Sequence, residues 1–155
     1  YNYGASMWPR VKRTLNIGIW AGVAITFIGF VLTESFPDTI SAMFTSDEIL
    51  IRLARNGFRI YFICYPLVGC QIVIQNFFQS IGKPRLSIFL SLTRQLIFLI
   101  PMLVLLPRYY GVDGVWASMA ASDMLSFFLA IITLWVMMKR LNHHFDNATP
   151  LQTKA

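Results

Sequence analysis

Four long stretches almost free of charge decide what this chain can become. Thr14 to Thr33 gives twenty uncharged residues between Arg13 and Glu34, and Ile60 to Gly82 gives twenty-three. Leu86 to Pro107 and Gly114 to Met138 give twenty-two and twenty-five, each broken by a single charge, Arg94 and Asp123 respectively. At about 1.5 Å per residue, about 20 helical residues cross a hydrocarbon core of roughly 30 Å. A single aqueous core has no use for runs of this length. Charged residues make up 13% of the chain, against about 25% in soluble domains, which excludes an ordinary water-soluble globule. The expectation is an all-α polytopic membrane helix bundle. A cytoplasmic loop at 1–13 precedes a four-helix transmembrane region at 14–142, with spans at about 14–33, 60–82, 86–107 and 114–138, and a tail follows at 143–155. So little chain remains outside the spans that function has to reside in the lipid bilayer.

The net charge of +6 does not point to nucleic acid, because Lys and Arg gather at the ends of apolar runs and not along one face. They read as topology signals. Arg10, Lys12, Arg13, Lys83, Arg85, Lys139, Arg140 and Lys154 fall on one side; Arg52, Arg55, Arg59 and Arg108, mixed with acids, fall on the other. Both ends are therefore expected in the cytoplasm, with the spans in the cell (inner) membrane. Trp8, Trp135, Tyr109, Tyr110 and Trp116 stand near span ends, where amphipathic rings prefer the headgroup layer. The chain opens at Tyr1 with no initiator Met and no apolar leader, so a fragment of a longer protein is expected. Thr45 and Glu48 have capping-box spacing, which predicts that the second helix starts outside the membrane. It would carry Arg52, Arg55 and Arg59 on one face, arranged either to hold an anionic group or simply as a solvated helix end. The tail is polar and aperiodic and contains Pro150, so fraying is expected there.

Polar groups inside spans are costly and face a bundle interior or a water-filled cavity. At 100° per residue, Tyr61, Tyr65, Gln71, Gln75 and Gln79 share one sector of the second helix. This aromatic and amide stripe suits a pathway for organic cations, and equally suits hydrogen bonding between helices. Gly18, Gly22 and Gly29 share a face of the first helix, and Ser118, Ser122 and Ser126 recur every four residues on the fourth; both seams permit close packing. Ser87, Ser91, Arg94 and Gln95 cluster on one side of the third and must look inward. Arg94 and Asp123 lie deep in consecutive antiparallel spans at depths within about a turn of each other, so either the two pair directly or Asp123 meets polar neighbours of Arg94 such as Gln95 or Ser91. Such a pair is either a fixed clamp or a proton-dependent switch.

Chemistry of other kinds finds no candidates. Cys64 and Cys70 stand roughly 9 Å apart along one helix, too far for a disulfide. The adjacent His143 and His144 lack structural metal-site spacing, so no metal is expected. No phosphate loop, nucleophile elbow or paired carboxylates occur, which argues against an enzyme.

Several strings resemble a known family. Tyr1-Asn2-Tyr3-Gly4-Ala5 followed by Arg10-Val11-Lys12, then Phe78-Gln79-Ser80-Ile81-Gly82-Lys83-Pro84, Arg94-Gln95 with Pro101, Gly114-Val115-Trp116 and Ser122-Asp123 are similar in order and spacing to the multidrug and toxic compound extrusion (MATE) transporters. The resemblance implies the last four of twelve helices, most of the second lobe of a two-lobed exporter whose N-terminal lobe is missing here. It implies efflux of drugs, small organic cations or amphipathic compounds by antiport with H⁺ or Na⁺, and no cofactor. Two residues depart from the pattern: Ala120 replaces an expected proline, and Gly69 stands near a place where some relatives carry an ion-coupling carboxylate. The alternatives are a lipid-linked oligosaccharide flippase of related fold, or a non-transporting helical membrane subunit.

Overall fold

The computed structural model describes residues 1–148, and every regular element among them is helical. Helix α1, Trp8–Ser35, opens with Pro9, whose missing N–H costs nothing in a first turn. After the short α2, Pro37–Ala42, helix α3 spans Glu48–Phe62. Its cap is Asp47, whose Oδ1 accepts from the Ile49 N–H at 2.8 Å. Thr45 Oγ1 instead accepts from the Asp47 N–H at 3.2 Å, so the expected Thr45/Glu48 capping box is replaced by an Asp cap that Thr45 holds in place.

The second span is not one straight helix. Helix α3 ends at Phe62, α4 runs Tyr65–Ser80, and the two are bent by 54°. Pro66 explains the break, since it lacks an N–H and its ring excludes the carbonyl four residues back, that of Phe62. Helix α4 stops in a Schellman motif: Gly82 has φ +75°, Lys83 N–H bonds Phe78 O at 2.8 Å and Gly82 N–H bonds Gln79 O at 3.1 Å. Pro84 then starts α5, Pro84–Leu92.

A π-helical segment, Thr93–Leu99, follows α5 without a break, and its closing bond runs from Ile100 N–H to Gln95 O. Pro101, whose ring would crowd the Ile97 carbonyl in a regular α-helix, accounts for the widened turn. Helix α6, Ile100–Ala148, reverses direction at Gly111, with φ 58° and ψ −133°, a conformation that only glycine adopts cheaply. Gly114 lies so close to Leu106 O that an added Cβ would sit 2.5 Å away. Ser118 Oγ donates to Met102 O at 2.8 Å. These contacts define an antiparallel hairpin whose two arms are the third and fourth spans. The backbone angles stay helical through Ala120.

The best-packed core lies toward the end of the bundle bearing Lys83 and Lys139, where Ile74, Phe78 and Ala130 are fully buried with Leu90 and Leu141. Trp8 joins this core and leaves the headgroup role expected of it. Its Nε1 donates to Asn142 Oδ1 at 2.5 Å and its ring stacks on Phe145 at 4.9 Å, with Tyr3 edge-on to Phe145. The segment expected to fray is thus helical through Ala148 because it closes onto α1. Residues 149–155, including Pro150 and Lys154, lie outside the described residues. Trp116 likewise turns inward, its ring filling the notch left by Gly57 on α3. Trp135, Tyr109 and Tyr110 are exposed, as rings at a headgroup layer would be. The outer faces carry Ile17, Trp20, Ile25, Phe27, Ile97, Phe128 and Ile132, a surface that suits lipid tails and not water.

Candidate functional site

The hairpin register decides what Arg94 and Asp123 can reach. With Gly114 against Leu106 and Ser118 against Met102, Asp123 falls opposite Ile97, three residues from Arg94, a gap of about 4.5 Å along the axis. The guanidinium closes it: Arg94 Nε donates to Asp123 Oδ1 at 2.6 Å. The pair is asymmetric. Asp123 is 1% exposed, while the Arg94 side chain is 34% exposed. Asp123 Oδ2 is buried without a hydrogen-bond partner among the described residues. The pair faces the bend between α3 and α4, for Tyr61 lies within electrostatic reach of both Arg94 and Asp123, and Cys64 within reach of Asp123. A mid-membrane ion pair against a broken helix is an arrangement that can change state when a charge is neutralised.

The stripe on the second span does not survive as one surface. The bend separates Tyr61, packed with Phe62 and Tyr65, from the amides. Gln71 is 2% exposed and both of its amide atoms are buried without partners among the described residues. Gln75 is half-buried. Gln79 is exposed and donates through Nε2 to Ser87 Oγ at 2.9 Å, fastening α4 to α5 across their tight turn. A cavity of about 290 Å³ does lie along α4, but on the side facing α1 and the first residues; Tyr3, Thr14, Asn76 and Ser80 line it, and no stripe residue does.

The small-residue seams are where helices touch. On α1, an added Cβ at Gly22 would sit 3.0 Å from Gly69 O, at Gly18 3.3 Å from Val73, and at Gly29 3.1 Å from the Tyr65 ring. At Gly22 the nearest atom is Val73 Cγ2 at 2.8 Å, so Val73 lies against both Gly18 and Gly22, with Gly69 and Tyr65 following at four-residue intervals along α4. On α6, the Ser118 hydroxyl lies between Gly114 O at 2.6 Å and Met102 O at 2.8 Å and shares its one proton between them, Ser122 donates to Met119 O, and Ser126 is buried with no partner among the described residues.

Arg52, Arg55 and Arg59 form neither a free anion site nor a bare solvated end. Arg55 clasps Asp38 through Nε and Nη2 at 2.6 and 2.5 Å, Arg59 approaches Glu34 at 3.4 Å, and Arg52 lies 4.0 Å from Glu48. Reading the residues singly misses this ladder. The signal was present: Glu34 and Asp38 stand four apart, as do Arg55 and Arg59, matching when the two segments run antiparallel.

The MatE family profile matches residues 1–105. The multidrug export protein MepA of Staphylococcus aureus (strain MSSA476) is 26% identical over 84 residues, covering 54% of this chain and 19% of MepA. Among solved structures, a chain described as protein A is 37% identical with a TM-score of 0.80 over 87% of this chain and 30% of its own. The Vibrio cholerae MATE transporter VcmN in the bent form is 17% identical with a TM-score of 0.84, over 93% of this chain and 33% of VcmN. The chain therefore spans about a fifth of the length of the curated relatives it matches and about a third of the solved ones. Its all-helical membrane bundle and its match to the family profile over more than half its length place this chain in the MatE family.

Proposed function

We propose that the chain is part of a secondary active exporter. It moves drugs, small organic cations or other amphipathic compounds out of the cell by alternating access, in exchange for H⁺ or Na⁺, with its cleft shared with a further lobe. The observation that carries this reading is the Arg94–Asp123 ion pair, its carboxylate buried, within the third and fourth apolar runs. The kinship with MepA, a multidrug export protein by name, supports the direction of transport and the breadth of substrates. In this reading Asp123 accepts a proton on its unpartnered Oδ2, the ion pair loosens, and the helices repack; no cofactor beyond the coupling ion takes part. A flippase for pyrophosphate-linked oligosaccharides is the weaker reading, because its cargo calls for several cations in the cleft and the spans here carry Arg94 alone.

The experiment is dye accumulation in cells expressing the full-length transporter, with the H⁺ and Na⁺ gradients collapsed separately. Efflux that stops when one gradient is removed supports the reading and names the ion. An Asp123→Asn protein that exports like wild type excludes the proton-carrying role. Accumulation that never differs from empty cells, despite normal membrane abundance, favours the non-transporting subunit.

A further inference from the structure

The export reading leaves the recognition of cargo open, and Arg94 carries a specific answer. A guanidinium has five N–H donors in a planar fork. Asp123 takes one of them, through Nε, and the described residues supply no other hydrogen bond to Arg94. The four N–H groups of the two Nη atoms have no hydrogen-bond partner among the described residues, on a side chain that is 34% exposed. A bare guanidinium is costly among lipid tails, so under the export reading this edge belongs to the cleft shared with the further lobe. Asp123, at 1% exposure, is screened behind it and unavailable to a ligand. What this face offers, within the third apolar run, is thus a cation fixed from behind by a carboxylate, with the exposed Gln95 next in sequence.

We propose that Arg94 is an anion-recognition group for transported compounds, taking the carboxylate of an amphipathic or zwitterionic molecule in a bidentate grip through its two Nη atoms, with Asp123 as the positioning residue. The geometry is the usual one for Arg and a carboxylate. This refines the expectation of cationic cargo: a purely cationic compound gains nothing from this face and has to be held by groups elsewhere in the transporter. The proposal rests on the export reading above.

The test uses purified full-length transporter and two dyes that differ only at the carboxyl group: rhodamine 110, with a free carboxylate, and rhodamine 123, its methyl ester. Binding is followed by fluorescence polarisation. Wild type is expected to bind the acid about tenfold more tightly than the ester, the scale of one charge-assisted contact at a partly exposed site. Arg94→Lys keeps the charge but loses the planar fork and should narrow the gap to about threefold; Arg94→Gln should erase it. The wild-type comparison and the conservative lysine variant decide the matter even if the glutamine variant does not fold. Equal wild-type affinity for the two dyes overturns the anion site and leaves the export reading intact; this is also the outcome if an acidic side chain elsewhere in the transporter already occupies the fork. A preference for the acid that persists unchanged in the lysine variant overturns the assignment to Arg94. Failure of both dyes to bind, together with absence of dye efflux from cells, overturns the export reading and this proposal with it.

Discussion

Gly69 fixes how closely α1 and α4 approach. A Cβ there would collide with Thr26 Oγ1 and with the Gly22 carbonyl, a piece of helix backbone that cannot move aside. At Gly18 the nearest atom is the end of the Val73 side chain at 3.3 Å, which can yield. Gly69→Ala should therefore destabilise the full-length protein by about 1–3 kcal/mol, the usual range for overpacking, while Gly18→Ala should cost much less. Thermal unfolding in detergent separates the two, and equal midpoints would refute the close crossing. The ion pair makes a second residue-level prediction, with an order to it. Arg94→Ala strands the fully buried Asp123 and should cost about 3–5 kcal/mol. Asp123→Ala leaves a guanidinium that is a third exposed and can be solvated, so it should cost less, about 1–2 kcal/mol. The double variant should be less harmful than the sum of the singles, and strict additivity would show that the contact contributes nothing.

At the scale of elements, much was legible because apolar length is a local property: the four runs read from the sequence fall on α1, on the bent pair α3 and α4, and on the two arms of the hairpin that turns at Gly111. What was not legible depends on neighbours. Pro66 and Pro101 are visible in the sequence, yet only packing determines that one breaks a helix and the other widens a turn. Depth alone allows the pairing of Arg94 with Asp123 without deciding it against Gln95 or Ser91, whereas the burial of Gln71 and the bond from Gln79 to Ser87 required the bend and the Gly82 turn to be known. The indole of Trp8 looked like a headgroup anchor because its partners, Asn142 and Phe145, lie more than 130 residues away. The π-helical segment yields a prediction of its own. Restoring an N–H with Pro101→Ala lets residues 93–99 relax toward α-helix, and removing one residue per turn swings Arg94 by roughly 100° about the axis. The energetic coupling between positions 94 and 123 should then fall toward zero in the double-mutant comparison while membrane abundance holds. Undiminished coupling would show that the widened turn is not what aims the guanidinium.

For the whole molecule the open matter is which way the bundle faces, and the count of Lys and Arg bears on it. Arg55 and Arg59 are matched by Asp38 and Glu34, yet orientation follows the number of Lys and Arg and not the net charge, and their side carries the fewer. On the opposite side Lys12 and Lys139 lie over the rings of Trp8 and Trp135 at 5.4 and 3.6 Å; an aromatic partner leaves the positive charge in place. Because Lys and Arg near span ends are retained in the cytoplasm, the Lys83 and Lys139 end is expected to face inward, with α2 and the Gly111 turn outside. The described N-terminal residues and the end of α6 must then lie on one side together, since Tyr3 and Trp8 pack on Phe145. In a full-length protein with Cys64 and Cys70 replaced by Ser, single cysteines near Asp47 and Asp113 should react with an impermeant maleimide applied to intact cells. Those near Lys83 and Lys139 should react only after the membrane is opened. Labelling near Lys139 in intact cells would invert the topology, and with it the direction from which a proton would reach Asp123.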